Sequence, residues 1–217
     1  MSARLSLAGT ALCVALGALA AGAATLPGAP TTAEQPFVES VSADLNARFP
    51  TPESARAAGY LRYTDEDETG AISYANRQWT SADPKHPSQL WYDVRGRLLG
   101  ADFSVPYAET RPELFGVDPS RWTKFGAHVH YGLAGPTGTS YGAIGAKAIV
   151  KAGGSADHPT AAQLVEAGAA KKASDVRFVF AFPAIWDLQV WVIPNPSGAF
   201  AETNPEVKPV SAKSSSM

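Results

Sequence analysis

Two strand-like runs, residues 90–93 (Leu-Trp-Tyr-Asp) and 97–105, are separated only by Val94-Arg95-Gly96. A connection that short can only reverse the chain, because parallel neighbours need a crossover of about a dozen residues or more. An antiparallel sheet is therefore expected. Residues 122–133 and 141–150 flank the Gly-Pro-Thr-Gly turn at 135–138 and read as a second hairpin. Residues 176–182 and 188–193 are two more candidate strands, set around Pro183-Ala184-Ile185-Trp186, and residues 60–63 and 71–79 are shorter ones.

Helical signals surround these runs. Phe37, Val38, Val41, Leu45 and Phe49 recur at three-to-four spacing, which predicts an amphipathic helix ended by Pro50. Thr51-Pro52-Glu53-Ser54 opens a second helix, with Thr51 as N-cap and Pro52 at the first helical position. Residues 159–170 predict one more, started by Pro159 and presenting Ala162, Leu164, Val165 and Ala169. The expected class is α+β: N-terminal helices followed by a mainly antiparallel β-sheet with one further helix.

Composition excludes other classes. With 45% hydrophobic and 18% charged residues the chain is too apolar to be disordered, and its 19 Gly and 17 Pro follow no collagen period. The formal charge is −2 and no basic run exceeds the pair Lys171 and Lys172, so there is no footprint for a nucleic acid partner.

The first residues read as a secretory signal. Arg4 is their only charge, residues 5–19 are apolar with small residues interspersed, and Ala21-Gly22-Ala23 fits an A-x-A cleavage pattern. Cleavage after Ala23 or Ala24 would leave no stable membrane anchor, and would remove Cys13, the only cysteine. The mature chain would then have no disulfide, no cysteine nucleophile and no thiolate metal site in a periplasmic or secreted location. The expected organisation is a signal peptide over 1–24, a flexible linker over the Pro-rich stretch 25–36, one domain over 37–209, and a disordered tail over 210–217.

The segment richest in chemistry is Phe125-Gly-Ala-His128-Val-His130-Tyr-Gly-Leu133. As a strand, its period of two puts Phe125, Ala127, Val129, Tyr131 and Leu133 on one face and both imidazoles on the other, beside glycines that leave room. Two histidines at i and i+2 on a strand can ligate one metal. In a chain without cysteine that metal is one accepting imidazole and carboxylate, such as zinc, copper, iron or nickel. The third ligand is expected to be Asp187, or less favourably His86 in its Pro-flanked loop. A His128–Asp187 acid/base dyad is the catalytic variant, and internally satisfied imidazoles are the purely structural one. In Trp186-Asp-Leu-Gln-Val-Trp191, alternation puts Trp191 beside Asp187 and Gln189, on the polar face, where it would border a site.

Two weaker motifs carry less. Gly138-Thr-Ser140-Tyr-Gly142 matches the nucleophile-elbow pattern but lies between two expected strands, where the glycines shape a hairpin. Asp65-Glu-Asp67-Glu-Thr-Gly70 resembles the start of a calcium loop but has Asn76 where the bidentate glutamate belongs, so it reads as a solvated acidic turn.

The run FPTPESARAAGYLRYTDEDETGAISYANRQW, with SQLWYDVRGRLLGADFSVP, AHVHYGL and FPAIWDLQVWVIPNPSGAFAETNP, resembles a family of bacterial exported proteins over most of the mature chain. The resemblance implies a bacterial exported domain and brings no activity, cofactor or catalytic residue with it. The leading expectation is a periplasmic or secreted binding protein for a metal ion or small ligand, with His128, His130, Asp187 and Trp191 at the site. A metal- or His/Asp-dependent hydrolase using the same residues is the alternative, and a structural domain with no site is the third.

Overall fold

The computed structural model describes residues 27–76, 78, 80 and 82–210. The signal over 1–24, Cys13, Trp79 at the end of one candidate strand, and the tail from 211 onward lie outside the described residues.

Two helices lead the domain. Helix α1, Gln35–Arg48, buries Phe37, Val41 and Leu45, one per turn, so a single apolar stripe faces inward. Helix α2, Pro52–Ala57, starts with a capping box in which Thr51 Oγ1 accepts from the Ser54 N–H and Ser54 Oγ accepts from the Thr51 N–H. Four strands follow: β1 Leu61–Arg62, β2 Ile72–Ala75, β3 Gln89–Tyr92 and β4 Leu98–Pro106. The β3–β4 reversal is held by Asp93, whose Oδ1 accepts from the Arg95 and Arg97 N–H groups at 2.9 Å, while Gly96 takes φ +80°.

The remaining elements are β5 Thr123–Phe125, β6 His128–Gly135, β7 Gly138–Gly145, α3 Ala146–Lys151, α4 Ala161–Glu166, β8 Val176–Phe182 and β9 Ile185–Trp191. All strand pairs are antiparallel and form two sheets, one ordered β1-β2-β3-β4-β9-β5 and the other β7-β6-β8. The chain is α+β. It departs from the expected single sheet with one late helix: there are two sheets, and two short helices lie between β7 and β8.

Local chemistry explains these differences. The run expected as one strand over 122–133 breaks at Gly126-Ala127, both exposed, and its halves enter different sheets. The strand expected over 141–150 ends at Gly145; Ala146 and Ile149, three apart, are buried together on one helical face instead. The helix expected over 159–170 is shorter because Thr160 caps it and Gly168, at φ +76°, ends it.

Burial arranges the elements in four layers. One core lies between α1–α2 and the first sheet and contains Leu45, Phe103 and Leu188. Another lies between the second sheet and α3–α4, with Val129 against Ile149 and Leu164. Between the sheets, Tyr63 and Ala75 meet Phe180 and Phe182. Burying apolar area in each layer contributes roughly 25 cal/mol per Å².

The stretch expected as a tether is, from Pro27 on, held against the domain. The Phe200 N–H donates to the Gly28 carbonyl at 2.9 Å, and a Cβ on Gly28 would lie 2.4 Å from the Ser197 carbonyl oxygen. Glu34 is buried and paired with Arg121 at 3.1 Å.

Gly100 in β4 serves a similar close approach. A Cβ there would lie 2.5 Å from the Val190 carbonyl oxygen and 2.6 Å from the Trp91 ring. Gly100→Ala is therefore expected to destabilise the domain by about 1–3 kcal/mol through overpacking, measured by urea unfolding. A change within a few tenths of a kcal/mol would show that Trp91 does not rest on this strand.

Candidate functional site

The first sheet presents its apolar residues to α1–α2, so alternation turns a second, polar set toward the other sheet. Ser104 faces Asp187 in the β4–β9 register, Asp102 faces Gln189, and Gly100 faces Trp191. Asp102 and Asp187 are thus diagonal neighbours on one face. Across from them, β6 and β8 contribute His128, His130, Phe180 and Phe182, because Val129, Tyr131 and Leu133 point to the helices instead.

A cavity of about 370 Å³ lies between the two faces. Asp102, Asp187, Gln89 and Gln189 supply its polar floor, Tyr63, Trp91, Trp191 and Phe182 its aromatic walls, and His128 and His130 the opposing side. Phe125, 46% exposed, lines it with the exposed Asp67 and Glu202 and marks the opening.

The acid pair dominates its electrostatics. Burial, reinforced by the neighbouring Asp187 charge, pushes Asp102 well above the usual carboxylate range, against the pull of the Trp91 indole N–H donating to its Oδ2 at 2.9 Å. Burial likewise raises Asp187 to about 6, opposed by the Ser104 hydroxyl, 2.5 Å from its Oδ1, and by a hydrogen bond with Asp102. Because the two carboxyls interact, they titrate as a unit rather than as independent acids.

A hydroxyl relay supports them. Ser104 Oγ lies 2.6 Å from Ser88 Oγ, which lies 3.1 Å from the Asp102 carbonyl oxygen. Two hydroxyl hydrogens serve three contacts. With Asp187 ionised, Ser104 donates to it; with Asp187 protonated, the carboxyl can donate to Ser104 and the relay reverses.

The imidazoles sit in an aromatic setting. His130 packs edge-on to Tyr63 with centroids 4.5 Å apart and also meets Phe180 and Phe182; burial, then the adjacent His128, lower it to about 3. It is neutral at pH 7. His128 Nδ1 lies 2.7 Å from the Gly126 carbonyl oxygen, which can only accept, so that nitrogen carries the proton; its ring stacks on Phe182.

All four residues expected at a site, His128, His130, Asp187 and Trp191, line this one cavity. They do not form the expected ligand set: among the described residues, no group of three or more His, Cys, Asp or Glu is placed to hold a metal ion. The physical reason is commitment elsewhere. Asp187 is engaged with Ser104 and Asp102, His130 is packed among rings, and His128 is bound to Gly126. The same commitments leave the His128–Asp187 dyad unformed. His86 stands off the cavity, with its Nδ1 2.9 Å from Asp83 Oδ2.

Trp191 is almost fully buried, meets Trp91 edge-on at 5.5 Å and donates from its indole to the Ala201 carbonyl at 2.7 Å. Asp102 belongs to the site and was not singled out from the sequence, and Trp91 and Tyr63 join it there. A signal for Asp102 existed in the alternation of Gly100, Asp102 and Ser104 against Ala101, Phe103 and Val105, but its partner lies 85 positions away on β9. Of the weaker motifs, the Gly138–Gly142 run lies wholly within β7 rather than on a strand-to-helix turn. The acidic turn is held by Asp67, whose Oδ1 accepts from the Thr69 and Ala71 N–H groups.

Compared with known protein families, characterised proteins and solved structures, the chain matches none. Among the described residues, no helix is long and apolar enough to cross a membrane.

Proposed function

We propose that this is an exported protein that binds a small organic ligand between its two sheets. What carries the reading is the convergence, from opposite sheets, of two imidazoles and a buried carboxyl pair on one aromatic-walled cavity. Its volume, about 370 Å³, lies in the range of small-ligand pockets, and a few polar groups set among rings are the usual means of orienting such a ligand. Export rests on the N-terminal segment, whose lone Arg4, apolar run and Ala21-Gly22-Ala23 suit a cleaved signal.

A fragment screen followed by nitrogen–proton NMR correlation spectra tests the binding. Ligands are expected to shift the indole signals of Trp91 and Trp191, which line the cavity, and to leave that of Trp122 unmoved in the helix-side core. If no fragment moves the first two, or every indole shifts alike, the reading fails.

A second reading, an enzyme using the same residues, is favoured by one observation: Asp187, raised to about 6, suits general acid–base work near neutrality. One-dimensional proton spectra of the ligand in the same samples separate the two, since a binder returns its ligand unchanged.

A further inference from the structure

Resting on the small-ligand reading, we infer that the cavity selects an organic cation, an ammonium group carried on a small apolar body. The lining is unbalanced in charge. Asp102 and Asp187 lie at the floor, Asp67 and Glu202 at the opening, and among the described residues neither Lys nor Arg lines the cavity. The described lining therefore favours a cation over an anionic ligand.

The walls favour the same class. Tyr63, Trp91 and Trp191 present rings, and an ammonium near such faces gains a cation–π attraction that grows as water is excluded. An apolar body would fill the space beside Phe182. The donors already in place also leave the pair suited to a hydrogen-bond donor: Trp91 serves Asp102 Oδ2 and Ser104 serves Asp187 Oδ1, so an incoming N–H completes a carboxyl pair that has few donors of its own.

Charge accounting agrees. The neutral His130 facing the carboxyl pair brings no positive charge to cancel theirs. A metal cation is the poorer fit, because no group of three ligating side chains is assembled among the described residues. At the opening, Asp67 is fixed by its own turn, and the Glu202 backbone carbonyl accepts from Gln189 Nε2 at 3.0 Å. Two acids held at the mouth draw cations in and repel anions.

The test compares benzylammonium with benzyl alcohol, two probes of nearly equal shape that differ in charge, by following the Trp91 and Trp191 indole signals at pH 7.5. Benzylammonium is expected to bind at least tenfold more tightly, a difference of about 1.4 kcal/mol. The preference is expected to vanish in Asp187→Asn, with the fold checked by its melting curve. Glu202→Gln, at the exposed rim, is expected to narrow the preference without touching the core. Equal or tighter binding of the alcohol to the wild-type protein overturns the cation inference while leaving the small-ligand reading intact. If neither probe moves either indole at millimolar concentration, the cation inference is overturned, and the fragment screen alone decides the small-ligand reading.

Discussion

Glu34→Ala is expected to cost the domain about 3–5 kcal/mol, the range found when one partner of a buried ion pair is removed. Glu34 is 1% exposed and accepts from the Thr31 N–H at 2.8 Å, the Asp118 N–H at 3.0 Å, and Arg121 Nε and Nη2 at 3.2 and 3.1 Å. Alanine leaves a guanidinium and two backbone donors without their acceptor. Burial by itself would raise the Glu34 pKa, but the hydrogen bonds and the Arg121 charge prevail and bring it to about 2. A depressed carboxyl contributes stability that is present above its unfolded value of 4.5 and is lost as pH falls toward 2. The variant should therefore lose most at pH 7 and converge with the wild type near pH 2. A loss below 1 kcal/mol at pH 7 in urea unfolding would mean that the segment from Pro27 to Glu34 does not help hold the fold.

His130→Phe is expected to enlarge the gain in stability on acidification between about pH 6.5 and 4.5. The folded imidazole is lowered from 6.5 to about 3, so it contributes stability that is full above 6.5 and is lost as pH falls toward 3. Asp187 acts in the opposite direction. Its folded value is raised from 3.8 to about 6, and its contribution is full below 3.8 and lost as pH rises through 6. In the wild type the imidazole slope is opposed by that of Asp187 and by that of Asp102, which burial raises in the same direction. Phenylalanine suits the rings of Tyr63, Phe180 and Phe182 and removes only the imidazole slope. The variant should gain on the order of 1–2 kcal/mol on acidification from pH 6.5 to 4.5, at 1.36 kcal/mol per pKa unit. Melting curves across that window check it; an unchanged or falling stability would show that the acid pair is not held as described.

Much of the fold was legible locally. Helix α1 followed from its three-to-four spacing, the β3–β4 hairpin from a short Gly-containing connection, and the face shared by Asp187, Gln189 and Trp191 from period two. The break between Phe125 and His128 was hidden, because Gly126-Ala127 resembles the interior of a glycine-rich strand as much as a crossing between sheets. The helical turn at Ala146-Lys-Ala-Ile-Val-Lys151 was hidden too, since a short apolar run serves a strand or a helix until its neighbours are known. At the site, the period-two rule brought both imidazoles to one face, but nothing in it could show that Asp187 is committed to Ser104 and Asp102. That depends on β4 lying beside β9, a pairing between distant segments that carries no local mark.

That pairing also sets when the cavity can exist. Strand β9 is the last among the described residues and sits between β4 and β5, so two strands laid down earlier have no common neighbour until residues 185–191 arrive. A nascent or truncated chain ending before Ile185 would present two open strand edges and a lone Asp102, with no second carboxyl to share its proton. Contacts of such long sequence separation form slowly, and unpaired edges invite association with other chains. This strand is thus both the clasp of the first sheet and the step that creates the acid pair, so the cavity cannot form before residues 185–191 have joined the sheet.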